Sequence, residues 1–474
     1  MGTTTIYANG VSGLTGEYLI PPIDAVDVAA LARRPSADPT ATRWAATAGR
    51  DRAKDRLGLP YWIEPTDLRQ AGWAIVFASG EDAAVKDALA PLIEHRAGQV
   101  GDLLHVLEYD PARPWRAWMD DRGIGAGSID PTKLPYYVLL VGPPTRIPFL
   151  FQSLLDIDRA VGRLDLDDPQ AYRRYADGMV AVETGGAAPR DRTVTFFATD
   201  HDAATRLSSE HLIGPLASGG TDRGDPGIPV REGYRSQLFT GPTAVRETLR
   251  DVVRGSSTAG STALFFSATH GIGGFPPGHP EQVATHGALL CQDWPGLGRI
   301  GPDAYFAARD IPDDARVHGM VAFLFACFGA GTPQRDEFWR EAPGHDPVIA
   351  TEPFTASLAK ALLSHPAGGA SAVIGHVDRA TALSFYSAGG PQLVPFQNAI
   401  GLTLRGVPVG HALAAMNARY AELSAELSAL VARADEGYEV DDQELAREWT
   451  ERNDAQNHVL LGDPAVRLSV AAPP

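Results

Sequence analysis

The sequence predicts an α/β protein with a mostly parallel sheet and helices on both of its faces. Three observations point there. Apolar runs such as Tyr136-Tyr137-Val138-Leu139-Leu140-Val141 have the length of buried strands and are too short for core helices. They alternate with segments of helical periodicity, the order that crossover connections in a parallel sheet require. Two of the runs, Leu264 to Thr269 and Val321 to Ala326, stop at a reactive side chain, His270 in one and Cys327 in the other. Parallel strands end at the carboxyl edge of their sheet, where open α/β folds hold ligands.

Residues 1–70 are poorly patterned, with Pro21-Pro22 and an Ala/Arg/Pro-rich stretch from Arg33 to Arg56, and read as an extended arm partly wrapped on the body. Gly72 to Ala78 is a buried strand, followed by a helix from Glu81 to Glu94 whose apolar face carries Val85, Leu89 and Leu92. Pro143-Pro144 stops the next strand, Tyr136 to Gly142, because proline offers a ladder no amide hydrogen. Arg173 to Glu183 is helical. A Gly/Ala/Pro linker from Gly185 to Arg192 restarts the alternation. Strand Thr193 to Ala198 leads to helices Ala203 to Leu216 and Thr243 to Arg254. The His270 and Cys327 strands follow, then helix Phe354 to Leu363 and strand Ala370 to Gly375. Leu413, Met416, Tyr420, Leu423, Leu427 and Leu430 alternate spacings of three and four, a helical stripe too short for an independent coiled coil and so packed on the protein's own body. The expected division is an arm over 1–70, a smaller α/β unit over 71–185, and a larger one over 190–470 that includes the C-terminal helix and closing strand.

Composition bounds the function. With 474 residues, 44% of them apolar, the chain can bury a full core. A formal charge of −17 disfavours nucleic acid and anionic membranes as partners, since both attract basic surfaces. No basic-flanked apolar leader opens the sequence, and no apolar run approaches the roughly 20 residues of a membrane span. These features fit a cytoplasmic protein. Two cysteines rule out a disulfide framework.

Neighbouring strands ending in His270 and Cys327 would deliver an imidazole and a thiol to one crevice. A free thiol, with pKa about 8.5, is only a few per cent thiolate at neutral pH, and an imidazole partner assists it or protonates the leaving amine. The other chemical signals are weaker. His279, His286 and Cys291 lack the paired spacing of a zinc site, and Pro276, Pro277 and Pro280 mark their region as a loop. Cys291 reads as core, and Thr285-His286-Gly287 has no buried strand leading into it. Gly123 to Gly127 and Gly271 to Gly274 do not open helices, as phosphate loops do. Neither a metal nor a cofactor is expected.

The order of these blocks resembles the caspase-like cysteine peptidases of clan CD, in which one apolar block ends in His-Gly and a later one in Ala-Cys. Phe325-Ala326-Cys327-Phe328-Gly329 is similar to the caspase Gln-Ala-Cys-x-Gly motif, with Phe in place of Gln. Three stretches look closer to the gingipain family: Tyr137 to Gly142 with Ile147-Pro148, where Pro143 replaces the usual Asp; Ala160-Val161-Gly162-Arg163-Leu164; and Leu460-Leu461-Gly462-Asp463-Pro464, which is also similar to the closing strand of CHAT domains. The resemblance spans roughly residues 70 to 470. It implies a caspase-like domain preceded by a smaller half-copy of the same layout, and a cysteine endopeptidase acting on a peptide or protein substrate. Cys327 would be the nucleophile and His270 its partner, with the backbone N–H groups of Gly271 and Cys327 as the oxyanion hole. An acidic pocket residue would select Arg or Lys before the cut bond, and Asp156, Asp158 and Asp378 are the candidates. The alternative reading is a CHAT-like or gingipain-like scaffold or sensor module with little turnover, open to an unknown regulatory partner. A thiol-dependent acyl transferase is a third.

Overall fold

The computed structural model describes residues 5–472 apart from residues 8, 35, 37, 53–57, 126–128, 221–223, 257–259, 337–346 and 388–389. Ten strands form the main sheet: β1 (Trp73–Ala78), β2 (Leu104–Tyr109), β3 (Tyr137–Val141), β4 (Ala160–Leu164), β5 (Thr193–Ala198), β6 (Arg235–Thr240), β7 (Leu264–Ala268), β8 (Val321–Phe325), β9 (Ala372–His376) and β10 (His458–Gly462). Their spatial order is β2-β1-β3-β4-β10-β9-β8-β7-β5-β6. Neighbours are parallel within β1 to β4 and again within β5 to β9. The two series therefore repeat one winding, β2-β1-β3-β4 matching β6-β5-β7-β8. Between them β10 runs antiparallel to β9 and meets β4 at Leu461 and Arg163.

Every residue of β1, β3, β4, β5, β7, β8, β9 and β10 is buried, as continuous apolar runs covered on both faces should be. Alternation along β1 separates two cores. Trp73, Ile75 and Phe77 join the cluster that includes helices Ala83–Val100 and Pro169–Thr184. Ala74, Val76 and Ala78 join the one that includes Pro39–Arg52, Phe149–Asp156 and Ala414–Asp435. Each fully buried Val, Leu, Ile or Phe side chain contributes about 1.5–3 kcal/mol. The outermost strands, β2 and β6, are partly exposed and carry polar residues.

A buried ion cluster holds the seam around β10. Arg96 lies between Asp463 (2.7 Å) and Glu183 (2.7 Å), and Asp463 also accepts the Trp73 indole N–H at 2.9 Å. Breaking one member of such a cluster strands the others without water, which costs about 3–5 kcal/mol.

The first 70 residues are not extended throughout. Ala25–Ala32 and Pro39–Arg52 are helices. Small residues let the second lie so close to Ala414–Asp435 that a Cβ at Gly49 would stand 2.0 Å from the Ala421 carbonyl oxygen. The composition that suggested an arm is instead the composition of a tight helix pair. Residues 53–56 of that stretch, and 126–127 of the glycine loop, lie outside the described residues. Past the end of β7, a second sheet of four short strands runs Tyr305–Phe306, Leu289–Leu290, Gly271–Gly273, Gly10–Ser12. Among the described residues no helix is long and apolar enough to cross a membrane.

Candidate active site

Strands β7 and β8 are hydrogen-bonded in register, Ala268 opposite Phe325, so His270 and Cys327 stand at matched positions two residues beyond their strand ends. The backbones stay in contact there. Thr269 N–H donates to Phe325 O at 3.2 Å. A Cβ at Gly271 would lie 1.8 Å from Cys327 O, so residue 271 must be glycine for the two strand ends to approach this closely.

The His270 ring is fully buried and its Nε2 lies 2.7 Å from Asp202 Oδ2. Asp202 caps helix Ala203–Ser208, its Oδ1 accepting the Thr205 N–H at 3.0 Å. Burial alone would raise the Asp202 carboxyl, but the hydrogen bond and charge of His270 outweigh it and hold the group well below the usual carboxylate range. The Tyr18 ring meets His270 edge-on, 5.6 Å between centroids. Its phenol is pushed well above its ordinary value by burial and by the neighbouring Asp202 charge. His270 Nδ1 is buried with no hydrogen-bond partner, which leaves one ring nitrogen free for chemistry.

Cys327 is also fully buried. Its Sγ accepts the Ala380 N–H at 3.2 Å, and no hydrogen bond joins it to His270. Burial pushes the thiol up to about 12, against the opposing pull of the Ala380 N–H and the Arg379 charge. Around the thiol the backbone is strained. Phe328 (φ 61°) and Asp378 (φ 79°) are the non-glycine residues with positive φ among the described residues, and Phe328 N–H donates to Asp378 O at 2.6 Å. Left-handed backbone at bulky residues costs about 1–3 kcal/mol each and concentrates at functional sites.

A second polar cluster pins the loop that carries Ala380. Asp454 accepts the Thr381 N–H at 2.7 Å and the Thr381 hydroxyl at 3.1 Å, and also bonds Ser384. His376, Asp454 and His458 each turn a ligand atom toward the others, all within 4.8 Å, so these buried groups could hold a small cation. Burial lowers His458 to about 3. Despite burial, the charge of His376, whose Nε2 stands 3.6 Å away, lowers Asp454 to about 2.

The other residues singled out from sequence are dispersed. Asp156 is buried, its Oδ1 accepting the Val161 N–H (3.1 Å) and the Asn417 side chain (3.2 Å); burial raises its carboxyl well above the ordinary range. Asp158 forms a buried ion pair with Arg159 at 2.6 Å. Neither is among the residues lining the two clefts beside the dyad: Asp156 holds the start of β4 through the Val161 N–H, and Asp158 pairs with Arg159. Asp378 does lie beside Cys327, but its carboxylate faces Arg379 (3.1 Å), which also pairs with Asp336 at 2.6 Å. His286 is buried against Phe328 and lowered by burial to about 3, and Cys291 is buried core.

Sequence reasoning missed Asp202, although the polar run Asp200-His201-Asp202 directly beyond β5 was a usable signal. Asp454, in the last turn of helix Asp442–Asn457, and His458, at the start of β10, show metal-ligand spacing in sequence, but His376 joins them only through the fold.

No family model and no curated protein matches the chain. A solved chain described as "Structure of Protease" is similar to it, with a TM-score of 0.46 and 12% identity, over 84% of this chain and 78% of that one.

Proposed function

We propose that the protein is a cysteine-dependent endopeptidase with Cys327 as nucleophile and His270 as its acid–base partner, akin to the caspase-like enzymes that its motifs resemble. The observation that carries this reading is the matched placement of the two side chains beyond adjacent parallel strands, with His270 anchored by Asp202. In this reading the thiolate attacks the scissile carbonyl carbon, the Gly271 N–H steadies the oxyanion, and His270 gives a proton to the departing amine. Asp202 fixes the imidazole and stabilises its charged form, as the carboxylate of a triad does. Thioester hydrolysis then restores the thiol.

The alternative, a scaffold or sensor module of the same fold with little turnover, draws support from the complete burial of Cys327 and the height of its thiol pKa. Incubation with a panel of fluorogenic peptides ending in lysine, arginine, aspartate and asparagine, wild type beside Cys327→Ala, separates the two. Cys327-dependent release of the fluorophore supports the peptidase. No release from any peptide by a folded wild type favours the module.

A further inference from the structure

We propose that Tyr7 and residues 9–12 occupy this site as part of an intramolecular substrate, and that the Asn9–Gly10 bond is the one cut. The inference rests on the peptidase reading and names its substrate class and its first product.

The N-terminal segment binds by backbone hydrogen bonds on both sides of that bond. Before it, Asn9 N–H donates to Ala380 O at 2.9 Å and Ala382 N–H donates to Tyr7 O at 3.4 Å. This is the pattern of an extended peptide laid along the loop beside the nucleophile. After it, Gly10–Ser12 runs parallel to Gly271–Gly273 as an added strand, and a turn returns the chain so that Leu19 N–H donates to Gly10 O at 3.0 Å. The Asn9 carbonyl oxygen accepts the Gly271 N–H at 3.1 Å. That donor is the one the mechanism assigns to the oxyanion, so the carbonyl occupies the place of a scissile one.

The thiol lies against the same link. A Cβ built at Gly10 would stand 3.1 Å from Cys327 Sγ and 2.9 Å from Leu19 Cδ1, so a side chain at residue 10 would press directly on the thiol. The Asn9 side chain is fully buried, a position that extended peptides reserve for the residue that decides specificity. Its Nδ2 donates to Ser208 Oγ at 3.3 Å, and its Oδ1 has no partner. A neutral hydroxyl therefore reads a neutral amide. A lysine or arginine placed there would bring a charge to a pocket whose recorded partner is uncharged, and no carboxylate is bonded to Asn9. The same segment accounts for the burial of Cys327 and His270: the site is closed by its own chain.

The step balances without an external oxidant or cofactor. The Cys327 sulfur forms a bond to the Asn9 carbonyl carbon, and the thiol proton passes by way of His270 to the Gly10 nitrogen as the C–N bond breaks. Water then hydrolyses the thioester, releasing a peptide that ends in the Asn9 carboxylate and leaving a chain that begins at Gly10. Departure of the peptide ending in Asn9 opens the loop face of the site to peptides in trans, with asparagine preferred before the cut.

The test is intact mass and N-terminal sequencing of the full chain incubated at neutral pH, for wild type, Cys327→Ala and Asn9→Lys, with peptide hydrolysis measured on each sample. Wild type should lose the residues through Asn9 and expose Gly10. Cys327→Ala should stay whole, and Asn9→Lys should be cut at least 100-fold more slowly. Cleaved wild type should hydrolyse an asparaginyl peptide at least tenfold faster than an arginyl one. A wild type that stays whole yet shows Cys327-dependent hydrolysis of peptides overturns this inference and leaves the peptidase intact. A wild type that stays whole and hydrolyses nothing overturns both. Exposure of Gly10 in Cys327→Ala assigns the cut to another agent and also overturns it.

Discussion

The two strand series share one winding but end differently. In β5–β8 the positions two residues beyond the third and fourth strands hold His270 and Cys327; in β1–β4 the matched positions hold Pro143 and Leu166. The first series closes its strand ends on itself. Arg163 of β4 is fully buried and donates to Gly142 O (2.9 Å), Ile147 O (2.7 Å) and the Gln152 side chain (3.0 Å), satisfying the carbonyls that follow β3. The second series leaves its strand ends to strained backbone, an unpartnered imidazole nitrogen and a bound N-terminal segment. One scaffold thus occurs once with its strand ends satisfied by its own arginine and once with its strand ends met by a separate segment of the chain.

That contrast breaks most directly by substitution at matched positions. Cys327→Ala should reduce peptide hydrolysis at least 10³-fold without loss of fold, whereas Pro143→Ala should leave it within about twofold; both are read as kcat/KM beside a thermal melt. Equal effects from the two would dissolve the comparison.

Asp202→Asn should lower kcat/KM by about 10²-fold, because Asp202 acts only through His270. The stability consequence has a definite sign. The Asp202 carboxyl is held below its unfolded value of about 3.9, so its contribution is present above that pH and is lost as pH falls through the folded value. The asparagine variant should lack this acid-side loss. A variant with wild-type kcat/KM would make the His270–Asp202 contact merely structural.

Arg163→Met reverses the pattern. Removing the guanidinium leaves the Gly142 and Ile147 carbonyls buried and unpaired, at a cost of about 3 kcal/mol in denaturant unfolding. Activity per folded molecule should stay near that of wild type.

The smallest effect is expected from Asp156→Asn. Burial raises the Asp156 carboxyl, so its contribution is present below the unfolded value of about 3.9 and is lost as pH rises toward the folded one. Asparagine removes that loss and should raise stability at pH 7, read as a higher denaturant midpoint than wild type. Cleavage preference should not change; a changed preference among peptides would restore Asp156 to the pocket.

Much of the architecture was legible because buried parallel strands write themselves as unbroken apolar runs. β1, β3, β5, β7, β8 and β9 were readable for that reason. The edge strands were not. Leu104–Tyr109 and Arg235–Thr240 carry polar residues on exposed faces and look like loop or helix margin. The helix Pro39–Arg52 was hidden because its alanines and glycine serve close packing, which leaves no strong apolar stripe. His270 and Cys327 were visible from the abrupt ends of their strands. Asp202, Ser208 and Asn9 were not, because each meets its partner only through long-range folding, and Asn9 lies in a segment with no pattern of its own. The acidic pocket residues were sought near the right strands but without knowledge of their partners, and Arg159 and Arg379 account for two of the three.

The most direct test of the strand-end dyad is covalent capture. Wild type and His270→Ala are treated at neutral pH with peptidyl chloromethyl ketones ending in asparagine, arginine or aspartate, and the modified residue is located by mass spectrometry. The account predicts an adduct on Cys327 in wild type, at least tenfold slower capture in His270→Ala, and none on Cys291, a core thiol turned to the Leu289 carbonyl away from the strand-end site. An adduct on Cys291, capture of Cys327 at equal rates in both proteins, or no adduct at all would contradict it.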